Sequence, residues 1–174
     1  MVDTYERLVG TLDAAATTDT PVVSEALAFF MTRKGKLLRP MLTLLCCEIA
    51  GGDPLGAVPL AAAVELVHCS SIILDDLPCM DNASIRRGRV SLHTQFGEGV
   101  AILTSVHLLS HAFRLTAAAA RMIGQELVAV LADAISCSGM IRGQVLDLSG
   151  GGDTDDVRSL KTTPLFRIAA QFGA

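Results

Sequence analysis

The chain has 174 residues, 51% of them hydrophobic and only 4% aromatic, with a formal net charge of −4, a pI near 5.5 and a mean hydropathy of +0.48. That charge gives no general attraction to nucleic acid or to an anionic membrane, so any anionic ligand must be held by a local basic cluster. The length fits one domain over 1–174 with a real core, and an apolar content dominated by Ala, Leu, Val and Ile favours helices packed on helices.

Cys46, Cys47, Cys69, Cys79 and Cys137 are odd in number and form no CxxC pair. They read as small buried apolar residues in a reducing compartment. No basic start leads into an apolar run, so no signal peptide is visible. No 18-residue apolar run lacks charges and breakers, which argues against a transmembrane helix. The expectation is a soluble, cytoplasmic protein.

Residues 1–17 place Leu8, Leu12 and Ala15 at helical spacing, predicting an amphipathic helix. Pro21 suits the first turn of a second, with Val22, Ala26 and Phe29-Phe30 roughly four apart. The stretch 33–40, RKGKLLRP, sets four cations around a glycine, and Pro40 then opens an apolar helix that stops at Gly51-Gly52. Those cations read either as a solvated loop or as an anion site, with Lys36 and Arg39 aimed at a phosphate from just before a helix N-terminus.

Residues 57–77 are apolar almost all round and predict a central buried helix carrying Leu60, Val64, Val67, Ser71 and Leu74. His68 and Asp75 are seven apart and share a face. Pro78 cannot continue the helix, so Asp75 and Asp76 fall at its C-terminal end, followed by Asp81 and the pair Arg86-Arg87. Carboxylates are unfavourable at a helix C-terminus unless a cation offsets them. Oxygen-only ligands suit Mg²⁺, which bridges to substrate phosphates; the alternative is an acidic helix end paired with the two arginines.

Residues 98–120 and 121–142 predict two further helices; His107 and His111, four apart in the first, lack an acidic partner for metal binding. Gln144 and Asp147 share a helix face, Gly150 to Gly152 form a loop, and Lys161-Thr162 precede a short terminal helix.

GKLLRP, ELVH, DDLPCMD followed by RRG, FGEGVAIL, GQVLDL and KTTPLF stand in this order over residues 30–174. Together they resemble the trans-isoprenyl diphosphate synthases, the polyprenyl synthetase family. The resemblance implies an all-α antiparallel helical bundle of the isoprenoid synthase type. It implies a prenyltransferase that condenses isopentenyl diphosphate with an allylic diphosphate. By the resemblance, Asp75, Asp76 and Asp81 hold Mg²⁺. Lys36, Arg39, His68 and Arg87 hold isopentenyl diphosphate, and Arg86, Lys161 and Thr162 contact the allylic diphosphate. Gln144 and Asp147 line the site. Small residues at Ser70 and Ser71, just upstream of the Asp motif, favour geranylgeranyl diphosphate as product. Family members are typically homodimers.

The sequence departs from the family at Leu74, Ala83-Ser84 and Ser105-Val106, and it stops before a second Asp-rich motif. It is therefore read as the N-terminal part of the full fold. The alternative is a catalytically poor homologue that binds diphosphates or serves as a regulatory partner subunit.

Overall fold

The computed structural model describes residues 2–32, 35–86, 88–150 and 154–174. In chain order these form α1 (Val2–Ala15), α2 (Pro21–Met31), α3 (Leu38–Ile49), α4 (Pro54–Asp75), β1 (Ile85–Arg86), β2 (Arg89–Val90), α5 (Leu92–Phe96), α6 (Glu98–Ile123), α7 (Glu126–Ile135), α8 (Met140–Leu148) and α9 (Thr154–Gly173). The chain is all-α, as expected. The only sheet among the described residues is a minimal antiparallel pair, Ile85 opposite Val90 and Arg86 opposite Arg89.

Helix α4 is the axis of the bundle and packs against α1, α3, α6 and α9. Residues Ala61, Ala62, Ala63, Val64 and Leu66 are fully buried, which explains why its sequence is apolar on every side. It starts three residues before the expected position because Asp53 caps it, accepting a hydrogen bond from the Leu55 amide at 3.0 Å, and Pro54 takes the first helical position. Both α4 and α6 reach the length and mean hydropathy of a membrane span, against the expectation drawn from their charges and breakers. A core helix meets the same test, and 72% of the α4 window is buried.

The helical periodicity of α1 is borne out: Leu8, Leu12 and Ala15 have no exposed surface. In α2 it is Val23, not Val22, that faces the core beside Ala26 and Leu27. Helix α3 begins at Leu38, two residues before Pro40, after Leu37 adopts a left-handed conformation with φ 49°. Only Cys69 of the five cysteines is buried; Cys46 and Cys47 are half-buried, and Cys79 and Cys137 are exposed. The expectation of five buried thiols is corrected accordingly.

Two helix boundaries differ for local reasons. The helix expected over 121–142 is broken twice. Gly124, at φ 153°, ends α6, and a turn at 136–139 separates α7 from α8. At Gly139 an added Cβ would lie 2.0 Å from the Ala134 carbonyl oxygen, so the turn requires glycine there. The C-terminal helix is long rather than short, and Lys161 and Thr162 lie inside it. Pro164 sits in the interior of α9. An interior proline costs about 3 kcal/mol, offset here by burial of Leu165, Ile168, Ala169 and Phe172.

Candidate active site

Helix α4 stops at Asp75, and the chain folds back on its own helix end. The Leu77 amide donates to the Leu74 carbonyl at 3.2 Å, the Asp81 amide to the Asp75 carbonyl at 2.8 Å and the Ala83 amide to the Asp76 carbonyl at 3.2 Å. Helix-end carbonyls that would otherwise lack partners are thereby satisfied. The same fold-back brings Asp81 against Asp75. Asn82 completes the turn at φ 49°, a conformation asparagine tolerates.

The β pair then returns Arg86 to this loop. Its Nε donates to Asp76 Oδ1 at 2.6 Å, a terminal nitrogen pairs with the same carboxylate, and that nitrogen lies 3.6 Å from Asp81 Oδ2. Asp76 is buried and Arg86 is partly exposed. The hydrogen bond to Asp76 outweighs the desolvation of Arg86 and holds its guanidinium above its usual range.

From the opposite side α9 supplies Lys161. Its Nζ lies 2.8 Å from Asp147 Oδ2 and 3.8 Å from Asp75 Oδ2. Burial alone would push the Lys161 ammonium down, but the bond to Asp147 and the charges of Asp75, Asp147 and Asp81 hold it up. Gln144, one turn before Asp147 on α8, donates through Nε2 to Met80 Sδ at 3.7 Å, a long contact to a weak acceptor. The face shared by Gln144 and Asp147 thus reaches both the Asp loop and α9.

Asp75 is a perturbed carboxylate. Burial raises it from its ordinary 3.8 to about 6; Asp81 and Asp76 add to the rise, while Lys161 and Arg86 oppose it. Among the described residues, no three or more His, Cys, Asp or Glu side chains are gathered as a ready-made metal cage. The donors instead form a half-buried, oxygen-only set whose negative charge is incompletely offset by Lys161. That chemistry fits a hard divalent cation such as Mg²⁺.

Behind this mouth lies an apolar cavity of about 450 Å³. Its wall includes Ser71 from α4, Leu109 from α6, Ile135 from α7, Met140 from α8 and Leu165 from α9, with Asp75, Lys161, Thr162 and Gln144 also lining it. Ser70 lines it too, but its hydroxyl is engaged across the α4–α6 interface. The Ser70 and Ser105 Oγ atoms are 2.8 Å apart, and Ser105 Oγ donates to the Ser70 carbonyl at 3.1 Å. Ser71 donates to the His68 carbonyl at 2.9 Å.

A second, wider cleft of about 1180 Å³ brings Lys36, Arg39 and His68 together. Arg39 and His68 line both this cleft and the apolar cavity, so the two spaces share a wall. The Arg39 guanidinium also stacks over Phe166, 4.6 Å from the ring centre. Arg87 lies outside the described residues.

Sequence reasoning passed over two kinds of residue. Glu65, in the ELVH motif, is a carboxylate only 5% exposed, and it lines the basic cleft. Its signal was present as one acid inside an apolar helix, where burial of a charge is costly. Leu109, Ile135 and Leu165 carry no local signal, because the tertiary fold alone brings them to one cavity. The His107 and His111 rings lie 5.9 Å apart but take different hydrogen-bond partners. His107 Nε2 donates to the Ala15 carbonyl at 3.1 Å, and His111 Nε2 accepts from Arg114 at 2.6 Å.

Comparison with known proteins shows what the chain is similar to. A family model described as polyprenyl synthetase matches residues 20–174. The chain is 42% identical over 151 residues to geranylgeranyl pyrophosphate synthase 7, chloroplastic, of Arabidopsis thaliana, covering 84% of this chain and 44% of that protein. It is 39% identical over 181 residues to the heterodimeric geranylgeranyl pyrophosphate synthase large subunit 1, chloroplastic, of the same organism, covering 94% and 48%. Its fold matches the solved structure of a geranyltransferase from Legionella pneumophila with a TM-score of 0.85 and 30% identity, over 97% of this chain and 64% of that one. The chain spans about half the length of the curated relatives it matches.

Proposed function

The chain belongs to the polyprenyl synthetase family, and on that premise we propose that it carries the site of a prenyltransferase, condensing isopentenyl diphosphate with an allylic diphosphate towards a geranylgeranyl-type product. The observation that carries this reading is the junction of Asp75, Lys161 and Gln144 with an apolar cavity of about 450 Å³. Charged groups at the mouth suit a diphosphate, and the apolar interior suits its hydrocarbon tail.

Asp75 and Asp81, with Asp76 beside them, would hold Mg²⁺. When bound, Mg²⁺ supplies charge neutralisation to the departing diphosphate. Arg86, Lys161 and Thr162 grip the allylic diphosphate from the β pair and from α9. The allylic carbon–oxygen bond breaks with its electron pair going to the diphosphate. The double bond of isopentenyl diphosphate, held by Lys36, Arg39, His68 and Arg87, attacks the resulting cation, and a proton is lost. The apolar wall keeps water from that cation.

A homodimer is supported by Ile102, Leu103 and Val106, which are apolar and exposed along α6. A second reading, a diphosphate-binding subunit whose site another chain completes, draws on α8. There Ile141, Val145 and Leu148 line the cavity yet are 42%, 58% and 52% exposed.

Steady-state kinetics separate the two diphosphate sites. Lys36→Ala should raise KM for isopentenyl diphosphate about tenfold to a hundredfold, the range of a lost charge-assisted hydrogen bond, with KM for the allylic substrate little changed. Lys161→Ala should do the reverse. Equal effects of both variants on both substrates would defeat the assignment of two sites.

A further inference from the structure

Helix α8 grips Lys161 at two points. At Gly143 the helices α8 and α9 touch backbone to backbone: a Cβ added there would lie 2.7 Å from the Lys161 amide nitrogen and 2.8 Å from the Leu160 carbonyl carbon. One turn on, Asp147 Oδ2 receives a hydrogen bond from Lys161 Nζ at 2.8 Å. Position four residues on lies on the same helix face, so the backbone approach and the ionic contact belong to one arrangement. The ammonium is thereby held 3.8 Å from Asp75, within reach of it but bonded elsewhere.

We propose that Asp147 is a positioning residue that draws Lys161 away from Asp75 and so keeps that carboxylate open to a divalent cation. The proposal rests on the reading of Asp75 as a cation ligand given above. A lysine ammonium is a compact charge on a flexible four-carbon stem. Asp75 is the less exposed of the two carboxylates, with 25% of its side chain exposed against 43% for Asp147. Without Asp147, a movement of about 1 Å gives Lys161 a direct bond to Asp75, at the N–O distance usual for such pairs. An incoming cation would then compete with an internal ammonium that cannot diffuse away. With Asp147 present, the same lysine stays at the mouth, fixed and charged, where a diphosphate can take it over.

Mn²⁺ binding to the full chain, followed by electron paramagnetic resonance with and without inorganic pyrophosphate, tests this without relying on turnover. Asp147→Asn should weaken Mn²⁺ binding about tenfold, and Asp147→Glu should restore it. In the absence of pyrophosphate the double variant Asp147→Asn/Lys161→Met should bind Mn²⁺ as the wild type does, because no ammonium remains to fall onto Asp75. Unfolding curves confirm that each variant is folded. Unchanged Mn²⁺ binding in Asp147→Asn would overturn the proposal. So would a double variant as weak as the single one, since Asp147 would then act as a ligand itself. A wild-type chain that binds no Mn²⁺ under either condition would overturn the reading of the site and, with it, this inference.

Discussion

Asp75→Asn should lower turnover by about a hundredfold to a thousandfold and, in buffer free of divalent cations, make the chain more stable at pH 8. The first effect follows from removing a group that supports charge on the leaving diphosphate; loss of one such electrostatic contribution typically costs that much. The second follows from the strain of holding this carboxylate ionised. Its rise from 3.8 to about 6 means that the folded state binds the proton more tightly than the unfolded chain does. Stability from this group is therefore highest below about pH 4, falls as pH rises towards 6, and stays low above that. The shift corresponds to at most about 3 kcal/mol, and its partial exposure trims this to about 2 kcal/mol. Asparagine carries no such charge. The gain in the variant should be full at pH 8 and should vanish near pH 4, as read by thermal unfolding across that range. A variant that is less stable at pH 8, or equally shifted at both pH values, would show that burial of Asp75 carries no such penalty.

Arg86→Ala should destabilise the chain by about 3 kcal/mol, because it leaves a buried carboxylate without its counter-charge. Asp76 has 4% of its side chain exposed and Arg86 39%, so the two partners are not equivalent. Removing the arginine strands a charge that water cannot reach. Removing the acid by Asp76→Asn leaves a guanidinium that can turn to solvent, at a cost nearer 1 kcal/mol. For a chain of this size the arginine variant should melt about 10 °C lower, and urea denaturation should rank the two variants in the same order. Equal losses would mean that the pair behaves as an exposed salt bridge. The Arg86 effect bears on function as well as stability. The ion pair ties the β pair to the end of α4, and so fixes one of the cations proposed to face the diphosphate.

Much of this arrangement is legible in the residue order. The unbroken apolar run before Asp75 foretells a buried central helix, and the seven-residue spacing of His68 and Asp75 brings both to the cavity wall. The spacing of Gln144 and Asp147 likewise foretells that one helix face serves the site. These are properties of helical periodicity, which sequence carries directly.

What sequence does not carry is which partner each charge takes. Arg86 chooses Asp76 because a two-residue β pair turns the chain back, and nothing in Ile85 to Val90 announces so short a sheet. Lys161 was expected ahead of a short helix. The packing of Leu165, Ile168 and Phe172 accompanies a helix that runs through Pro164 and carries the lysine onto a helix face opposite Asp147. Ser70 illustrates the same limit. Its small size is evident in sequence, but its hydroxyl is committed to Ser105 of α6, 35 positions along the chain. Any replacement of Ser70 therefore alters a helix–helix bond as well as volume.

Prenyl transfer is tested most directly by following label from isopentenyl diphosphate into an extractable prenyl product, with farnesyl diphosphate and Mg²⁺ present and Asp75→Asn run alongside. A twenty-carbon product is expected from the wild-type chain and almost none from the variant. Absence of labelled product from the wild type, or equal product from both, would contradict it.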